Sequence, residues 1–418
     1  MAIERNPRTR CSFKSNPKWH FPNVMILLLC LTLTSCSDGS RNGDTPRVPC
    51  GLRLLMPDSC EPRVSPMRDG AMLLSCIYGV QRQPVVAKVN FDYGAPLVRR
   101  SFRPAENGCA DVTSIELPNG DIVFSYLSRN FVMVGRLSAE LELLEGRSVG
   151  PDIFGESGWF DNPSVFYDGS VGFVATLYPA RSVVLVCWPG NEICDAPPVI
   201  TRISEVSVAG DSLYLLDRHI LAVVVRKETS DFRQASYWAI FIDLRTLTTR
   251  SETMIDDTSG VDNRIVLDRE DDDWNLIVNA GWPRMAQVAS DTIGVLWIGG
   301  RSQPSAQLVY REIGISSGRA EAMVVVASMP RSCIALPALC SGGNGGALVS
   351  WCALESHSWQ VMWRPLHATE GGSRVPGSGH VYRSWPGFRR SAIVIGGTAY
   401  LLWAGSLEGS SGIFLASL

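Results

Sequence analysis

Short apolar runs separated by turn residues dominate the chain and predict antiparallel β-hairpins. Residues 113–137 are the clearest example, because two apolar runs flank the pair Asn119-Gly120 and a third run follows a short polar break. An Asn-Gly pair between two such runs is the strongest short-range hairpin signal in a sequence. No segment shows a sustained apolar stripe of helical period, so the pattern predicts strands throughout and few helices.

The hairpin pattern recurs at nearly constant spacing. Its turns centre on residues 70, 120, 169, 218, 291, 345 and 397, with steps of 50, 49, 49, 73, 54 and 52 residues. Six residues beyond these centres stand Cys76, Tyr126, Ala175, Val224, Trp297, Trp351 and Trp403. The aromatic side chains among them are expected where a second strand packs against the neighbouring unit. A fixed period of this length is the signature of repeated supersecondary units.

Seven units with room for four strands each predict an all-β fold, a β-propeller of seven blades. The step from 218 to 291 is 24 residues longer than the step before it, so six or eight blades are also compatible with the sequence. The excess lies in residues 256–281, an inserted loop or part of a further blade. The last unit, 391–418, shows only three strands, and we predict that residues 51–56 supply the fourth and close the ring.

The first 35 residues have the order of a bacterial export signal. Residues 1–23 are basic and polar, and residues 24–34 form an apolar run of eleven, which is too short to span a bilayer. The run ends in Leu33-Thr34-Ser35-Cys36, which resembles the lipobox of bacterial lipoproteins. The resemblance implies that Cys36 is lipidated and begins the mature chain, and that Ser37 after it directs the chain to the outer membrane. A plain secretory signal with an incidental cysteine is the alternative.

These features divide the chain into three regions. We predict a lipoprotein signal peptide over residues 1–35, a flexible tether over 36–49 and the propeller domain over 50–418. The tether is polar and rich in glycine, proline and serine, a composition typical of unstructured linkers. Acyl chains on Cys36 would exceed the two signals that stable membrane anchoring requires.

The charge distribution argues against a nucleic-acid partner. The whole chain has a formal net charge of −3, and residues 1–35 contribute +4, so the remainder carries −7. Nucleic-acid binding would need a basic stripe, which the acidic body lacks. We expect the partners to be the membrane, through the lipid anchor, and other envelope proteins or glycans.

Export would place the cysteines in an oxidising compartment, where disulfides persist. Cys187 and Cys194 flank a short turn sequence and are the first candidate pair, and Cys50 and Cys60 are the next. Cys76 and Cys109 could also pair, and Cys333, Cys340 and Cys352 compete within one unit. Nine cysteines follow Cys36 in the chain, and because this number is odd at least one thiol is unpaired. Spacing alone does not fix the connectivity.

An acidic run lies in the long connection and is a weak metal candidate. Its carboxylates are Asp268, Glu270, Asp271, Asp272 and Asp273. Such a group can gather around calcium, which takes six to eight oxygen ligands. The regular spacing and the glycine of a calcium loop are missing, so a solvated run of charges is the alternative. No cofactor other than calcium is indicated.

Two strand entries resemble those of sugar-cleaving propellers. The stretch from Trp159 through Asp161-Asn162-Pro163 and the stretch around Asp111 are similar to the Asp-Pro entry of five-bladed glycosidases, which use inward-facing carboxylates as acid and base. Prolines at first-strand entries also resemble sialidase-like propeller repeats, although no unit carries that family's Ser-x-Asp-x-Gly-x-Thr-Trp box. The resemblance makes Asp111 and Asp161 weak catalytic candidates, with a structural turn role as the alternative.

Three tryptophans stand at or just before first-strand entries and are candidates for the ligand face: Trp159, Trp282 and Trp385. The sequence favours a lipid-anchored envelope module that binds or scaffolds proteins or glycans. The competing hypothesis is a glycosidase or lyase with its site at the propeller axis. Two carboxylates about 5–10 Å apart over an open axial pocket would favour the enzyme, and a flat or plugged axis would favour the binding module.

Overall fold

The repeat unit seen in the sequence folds as a four-stranded antiparallel sheet. A computed structural model describes residues 52–90, 98–102, 109–128, 130–155, 158–188, 193, 197–205, 207–215, 218–228, 235–257, 283–299, 305–330, 334–342, 346–355, 358–366, 373–375, 390–407 and 410–418. These residues form seven four-stranded sheets, which are the blades of a β-propeller. The predicted fold class and blade number are therefore confirmed.

The first four blades take their strands consecutively from the chain, with the innermost strand first. Blade 1 consists of β2 (Ser59–Pro66), β3 (Met72–Tyr78), β4 (Gln83–Val89) and β5 (Val98–Ser101). Blade 2 consists of β6 (Ala110–Glu116), β7 (Ile122–Ser128), β8 (Phe131–Leu137) and β9 (Leu143–Val149). Blade 3 consists of β10 (Trp159–Tyr167), β11 (Val171–Tyr178), β12 (Ser182–Trp188) and β13 (Val199–Ser204). Blade 4 consists of β14 (Ser207–Leu215), β15 (Ile220–Glu228), β16 (Ala235–Asp243) and β17 (Thr248–Asp257).

The last three blades repeat this order, and the chain's first strand completes the ring. Blade 5 consists of β18 (Arg284–Ala289), β19 (Thr292–Gly299), β20 (Ser305–Gly314) and β21 (Val324–Pro330). Blade 6 consists of β22 (Ile334–Gly342), β23 (Gly346–Glu355), β24 (Ser358–Pro365) and β25 (Ser373–Arg374). Blade 7 consists of β26 (Arg390–Ile395), β27 (Thr398–Leu407) and β28 (Ser410–Ser417), with β1 (Leu52–Pro57) as its outermost strand. One short 3₁₀ turn, Pro151–Phe154, links blades 2 and 3.

The N-terminal strand closes blade 7 as the sequence predicted. β1 pairs antiparallel with β28, from Leu52 opposite Ala416 to Pro57 opposite Gly412. Gly412 has a φ of +154°, and a Cβ at this position would overlap the carbonyl oxygen of Met56. A glycine is therefore required where the two ends of the chain approach most closely.

The hairpin turns follow the turn chemistry of their residues. In blade 2, Gly120 has a φ of +88°, and its backbone N–H donates to the carbonyl of Leu117 at 3.0 Å. The side-chain oxygen of Asn119 accepts the N–H of Asp121 at 3.1 Å. The same left-handed conformation recurs at Gly70, Gly169 and Gly397. The Asx–Gly signals that set the period in the sequence thus form the tight turns between first and second strands.

Apolar packing between neighbouring blades forms the core. The innermost strand of each blade contacts that of the next, and β26 contacts β2, so these strands surround one axis. Seven hydrophobic clusters occupy the seven blade interfaces of the described chain. Trp297, Trp351 and Trp403 pack toward the preceding blade, as their repeat position predicted. Among the described residues no helix has the length and apolarity needed to cross a bilayer.

We expect Met56→Ala to destabilise the propeller, because Met56 is buried at the closure between β1 and the first blade. Removing a buried methionine side chain costs about 2–5 kcal/mol in the free energy of unfolding. Urea unfolding of the full-length chain measures the change. Val80→Ala is the control, since Val80 is 94% exposed and its truncation should alter stability by less than about 0.5 kcal/mol. Equal stability of the two variants would contradict closure through β1.

Candidate functional site

Five of the seven innermost strands have a β-bulge near the end at which they begin, which we call the entry end of the ring. The register shifts occur in β2, β6, β10, β14 and β22. A bulge adds one residue to a strand and re-aims the side chain that it carries. Because bulges of this kind often mark functional positions, the entry end is the first place to look for a site.

The bulges of blades 1 and 2 carry acidic residues in a left-handed backbone. Glu61 and Asp111 each stand five residues before the last residue of their strands, so they occupy equivalent positions. Their φ angles are +56° and +52°. A non-glycine residue in this region is uncommon and costs roughly 1–2 kcal/mol. Two equivalent occurrences at one end of the axis suggest a functional constraint on both carboxylates.

Arginines pair with both of these carboxylates. Arg63 Nη2 donates to Asp111 Oδ1 at 3.4 Å, and Arg82 Nη2 donates to Glu61 Oε1 at 3.3 Å. Arg82 also donates through Nε to the carbonyl of Cys109 at 2.9 Å. Because Arg82 belongs to blade 1 and Cys109 leads into blade 2, these bonds tie the two blades together beside the axis.

Glu61 is a buried carboxyl that holds its proton at neutral pH. Only 6% of the residue is exposed. Burial raises the pKa of Glu61 to about 8, and the neighbouring charge of Asp111 raises it further, whereas Arg82 and Arg63 lower it. Desolvation therefore outweighs the ion pairs, and the neutral form predominates at pH 7.

Blades 4 and 5 contribute a second pair of charged residues. Asp211 Oδ2 accepts the backbone N–H of Met285 at 2.9 Å, and Asp211 Oδ1 accepts that of Ser212 at 3.1 Å. Arg284 begins β18 next to Met285. Burial lowers the pKa of Arg284, and among its charged neighbours Asp211 raises it and Arg63 lowers it.

These residues form one group across the axis. The charges of Arg63 in blade 1 and Asp111 in blade 2 act on Arg284 in blade 5, and neither of those blades is adjacent to blade 5. Electrostatic interactions between these blades point to the interior of the ring. We define the axial cluster as Glu61, Arg63, Arg82, Asp111, Asp211 and Arg284.

The axial cluster has unused hydrogen-bond donors. The Nε atoms of Arg63 and Arg284 are buried and have no hydrogen-bond partner within the described part of the chain. A guanidinium carries five N–H donors, and a buried donor without a partner costs about 1–3 kcal/mol. N–H donors of this kind match the acceptor oxygens of an anionic group.

The carboxylates are poorly arranged for acid–base catalysis. Glu61 and Asp111 are both held by arginines, whereas hydrolysis of a glycosidic bond needs a carboxylate free to take up or release a proton. No group of three or more histidine, cysteine or acidic side chains suited to a metal occurs among the described residues.

The two carboxylates singled out from the sequence are not equivalent in the structure. Asp111 belongs to the axial cluster. Asp161 pairs with Thr176 on β11 and occupies the register position that Ala110 has in blade 2. The counterpart of Asp111 in blade 3 is Asn162, so Asp161 is one residue out of register with Asp111. The side chain of Asp161 is outside the described residues.

One of the three tryptophans expected on the ligand face is described. Trp159 stands at the start of β10, is 46% exposed and stacks on Tyr178 with ring centroids 5.3 Å apart and an interplanar angle of 7°. It therefore presents an aromatic surface at the entry end. Trp282 and Trp385 lie outside the described residues, as do Cys36 and the acidic run that includes Asp268 and Glu270–Asp273.

No disulfide is formed between the described cysteines, and Cys60 and Cys187 have free thiols there. The predicted pairs with Cys50 and Cys194 stay predictions, because both of these partners lie outside the described residues. Cys187 packs in the apolar cluster between blades 3 and 4, and burial raises its pKa to about 11. Cys76 and Cys109 belong to clusters on opposite faces of blade 1, which prevents their pairing.

Sequence reasoning missed five members of the axial cluster: Glu61, Arg63, Arg82, Asp211 and Arg284. Alignment of the first strands backward from their hairpin turns would have paired Glu61 with Asp111. No comparable signal marks Arg284 or Asp211, because their convergence depends on the ring.

Comparisons with known proteins find only distant structural similarity. No protein-family model and no curated protein matches the chain. The NanB sialidase from Streptococcus pneumoniae is similar in structure, with a TM-score of 0.44 and 8% identity over 86% of this chain and 68% of the sialidase. A prolyl endopeptidase has a TM-score of 0.49 and 12% identity over 86% of this chain and 47% of its own. The AfRom2 CNH domain has a TM-score of 0.41 and 12% identity, over 88% of this chain and 98% of the domain. No residue role is transferred at these identities.

Glu61 provides a test of the axial electrostatics. Its pKa is about 8 in the folded chain against an ordinary value of 4.5, so between these values the folded state binds more protons than the unfolded state. Stability is therefore lost as the pH rises through this window. Glu61→Gln removes the titration, and we expect its melting temperature to fall less than that of the wild type across the window.

Thermal unfolding of the full-length chain at pH values on both sides of the window measures this difference. Glu142→Gln is the matched control, because Glu142 is exposed in the turn before β9. The melting temperature of this control should change with pH as steeply as that of the wild type. If the melting temperature of Glu61→Gln also changed as steeply as that of the wild type, Glu61 would ionise normally.

Proposed function

We propose that the chain is a lipid-anchored binding module of the bacterial envelope, and that it recognises a glycan carrying carboxylate or sulfate groups at the entry end of the propeller. The observation that carries the proposal is that the buried Nε atoms of Arg63 and Arg284 have no hydrogen-bond partner among the described residues, while the charge of Arg63 in blade 1 acts on Arg284 in blade 5. Guanidinium groups match planar oxyanions in geometry and charge.

The exposed aromatic surface favours a sugar over other anions. Trp159 and Tyr178 lie at the entry end of blade 3, on the same end of the ring as the bulges of Glu61 and Asp111. Aromatic rings that are stacked on one another and still exposed offer a flat apolar surface to the hydrophobic face of a pyranose. An acidic glycan could use this surface and the arginines together.

Binding without turnover fits the axial cluster better than catalysis does. Both acidic bulge residues are occupied by arginines, and Glu61 is neutral and buried. In a recognition site such carboxylates orient the guanidinium groups for the ligand. Glycosidase or lyase activity remains the alternative, and release of cleaved glycan in the binding experiment below would favour it.

The envelope location rests on the order of basic segment, apolar core and Leu33-Thr34-Ser35-Cys36 in the sequence. Lipidation of Cys36 would place the propeller at the end of the polar tether, residues 36–49, and free to meet ligands close to the membrane. The outer membrane follows from the resemblance of this signal to those of bacterial lipoproteins with serine after the cysteine.

We expect Arg284→Gln to weaken binding of an acidic oligosaccharide by roughly 10- to 100-fold, because it removes a buried charge-assisted donor. Trp159→Ala should weaken it by roughly three- to tenfold through loss of stacking. Isothermal titration of full-length protein with an acidic oligosaccharide and its reduced, neutral counterpart measures both effects.

Arg218→Gln is the matched control, since Arg218 lies in the β14–β15 turn at the other end of the ring and pairs with Asp291. It should leave affinity unchanged. Equal affinity for the acidic and neutral oligosaccharides, or equal loss in Arg218→Gln and Arg284→Gln, would contradict the proposed site.

The anchor has a separate test. We expect Cys36→Ser to move the protein from the membrane fraction to the soluble fraction after cell lysis, because the acyl chains cannot be attached. Fractionation followed by immunoblotting measures this, with Cys30→Ser inside the apolar core as control. Membrane partition that is unchanged in Cys36→Ser would refute lipidation at this residue.

A further inference from the structure

The charge of the propeller is unevenly distributed around the ring. Residues 52–102, which supply blade 1 and the closing strand β1, contain seven arginines and lysines against four aspartates and glutamates, a net charge of +3. Residues 103–418, which supply the other strands, contain 24 basic against 34 acidic residues, a net charge of −10. One side of an otherwise acidic ring is therefore basic, and a local surplus of this kind attracts anionic partners.

Four of these basic residues lie at the outer rim, and we call them the rim patch: Arg53 on β1, Lys88 on β4, and Arg99 and Arg100 on β5. β1 and β5 are the outermost strands of blades 7 and 1, and β4 pairs with β5. None of these three strands contains an acidic residue, whereas other outermost strands do, with Glu145 on β9 and Glu252 on β17.

The rim patch presents positive charge on both faces of the blade edge. Arg99 is opposite Ala87, which belongs to the apolar cluster between blades 7 and 1. Arg100 is opposite Val86, which belongs to the cluster between blades 1 and 2. Arg100 is exposed, and neither it nor Lys88 forms an ion pair within the described part of the chain. These charges are therefore available to an external anion.

The predicted tether joins the propeller beside the rim patch. Only residues 50 and 51 separate it from Leu52, where β1 begins. β1 ends where β2 begins, at the entry end, so Leu52 lies at the opposite end of the ring. β4 runs in the same direction as β2, because both pair antiparallel with β3, and its next-to-last residue, Lys88, therefore lies at that opposite end as well. A flexible segment of this length spans roughly 20–24 Å on average, so an acyl chain on Cys36 would hold this part of the rim close to the bilayer.

We propose that the rim patch is a membrane-contact surface that binds the phosphate headgroups of anionic lipids and turns the entry end away from the bilayer. The proposal rests on the lipid anchor proposed above, because the anchor brings the patch to the membrane. Each arginine or lysine near an anionic lipid surface strengthens binding about fivefold, and clusters of about four are the smallest that bind such surfaces. The acidic remainder of the ring is repelled by the same headgroups, which favours this one orientation.

Lysine acetylation of the full-length chain locates the contact. Lys88 and Lys227 are the two lysines of the propeller domain, and Lys227 lies in blade 4. A Cys36→Ser background removes the contribution of the acyl chains. We expect vesicles of phosphatidylglycerol and phosphatidylcholine, mixed about 1:2, to slow acetylation of Lys88 roughly threefold or more and to leave Lys227 unchanged, as measured by mass spectrometry. Vesicles of phosphatidylcholine alone should protect neither lysine.

Partition onto the same vesicles measures the strength of the contact. Lys88→Gln combined with Arg100→Gln should lower the partition coefficient roughly tenfold or more, because two headgroup contacts are lost. Arg245→Gln combined with Arg250→Gln is the matched control, since both residues are exposed in blade 4 and the change in net charge is the same. This control should lose less than about twofold, because its charges are screened from the membrane. Residues 1–35 are identical in all these proteins, so their own affinity for vesicles cancels in the comparison.

Three results would overturn the membrane contact. They are equal protection of Lys88 and Lys227 by anionic vesicles, equal loss of partition in the two double variants, and protection of Lys88 by inorganic phosphate to the same degree as by vesicles, which would mean a site for a free anion. None of these measurements needs an acyl chain. They can therefore fail while fractionation of Cys36→Ser still shows lipidation, and the glycan site is tested separately through Arg284→Gln.

Discussion

The hydrogen-bonded pairing of β1 with β28 is the constraint on which the rest of the structure depends. Each blade buries apolar surface against both neighbours, and the described chain has one hydrophobic cluster at each of its seven interfaces. Without closure the faces of blades 7 and 1 would be exposed to water. Pairing across the ends of the chain thus converts a linear array of repeats into a ring, and only a ring has an axis at which distant residues meet.

The axial cluster illustrates what that geometry makes possible. Arg63 and Arg284 carry like charges, yet the ring holds them within electrostatic reach of each other in a partly dehydrated centre. Two features limit the cost, namely the aspartates that face them and the neutral state of Glu61. The uncommon backbone conformations of Glu61 and Asp111 add further strain. A purely structural hub could be built more stably from apolar residues, which is the physical reason for the proposal that these charges bind an anion.

The sequence was informative where structure is local. Turn pairs such as Asn119-Gly120 determine their own backbone, so the hairpins, their period and the closing strand could be read from the chain. Packing direction was less predictable. Val224 faces the following blade, whereas the equivalent Tyr126 faces the preceding one. The first hairpin turns of the two blades differ in length. Four residues separate the paired Leu215 and Ile220 in blade 4, whereas five separate the paired Glu116 and Ile122 in blade 2. A change of one residue turns every side chain of a strand to its other face.

The charged site was the least accessible to sequence reasoning, and the cause is topological. Asp111 could be selected from the sequence because it stands at a strand entry that recurs in the next unit. Arg284 is more than 170 positions later in the chain, and its electrostatic interaction with Asp111 depends on closure of the ring. The possible pairing of Cys76 with Cys109 fails for a related reason, since the two residues lie on opposite faces of a blade. In a propeller the repeat fixes each side chain's height and face within its own blade, and the ring decides which of them become neighbours. Departures from the repeat, such as bulge residues that differ between blades, are therefore what make one part of the ring chemically different from another.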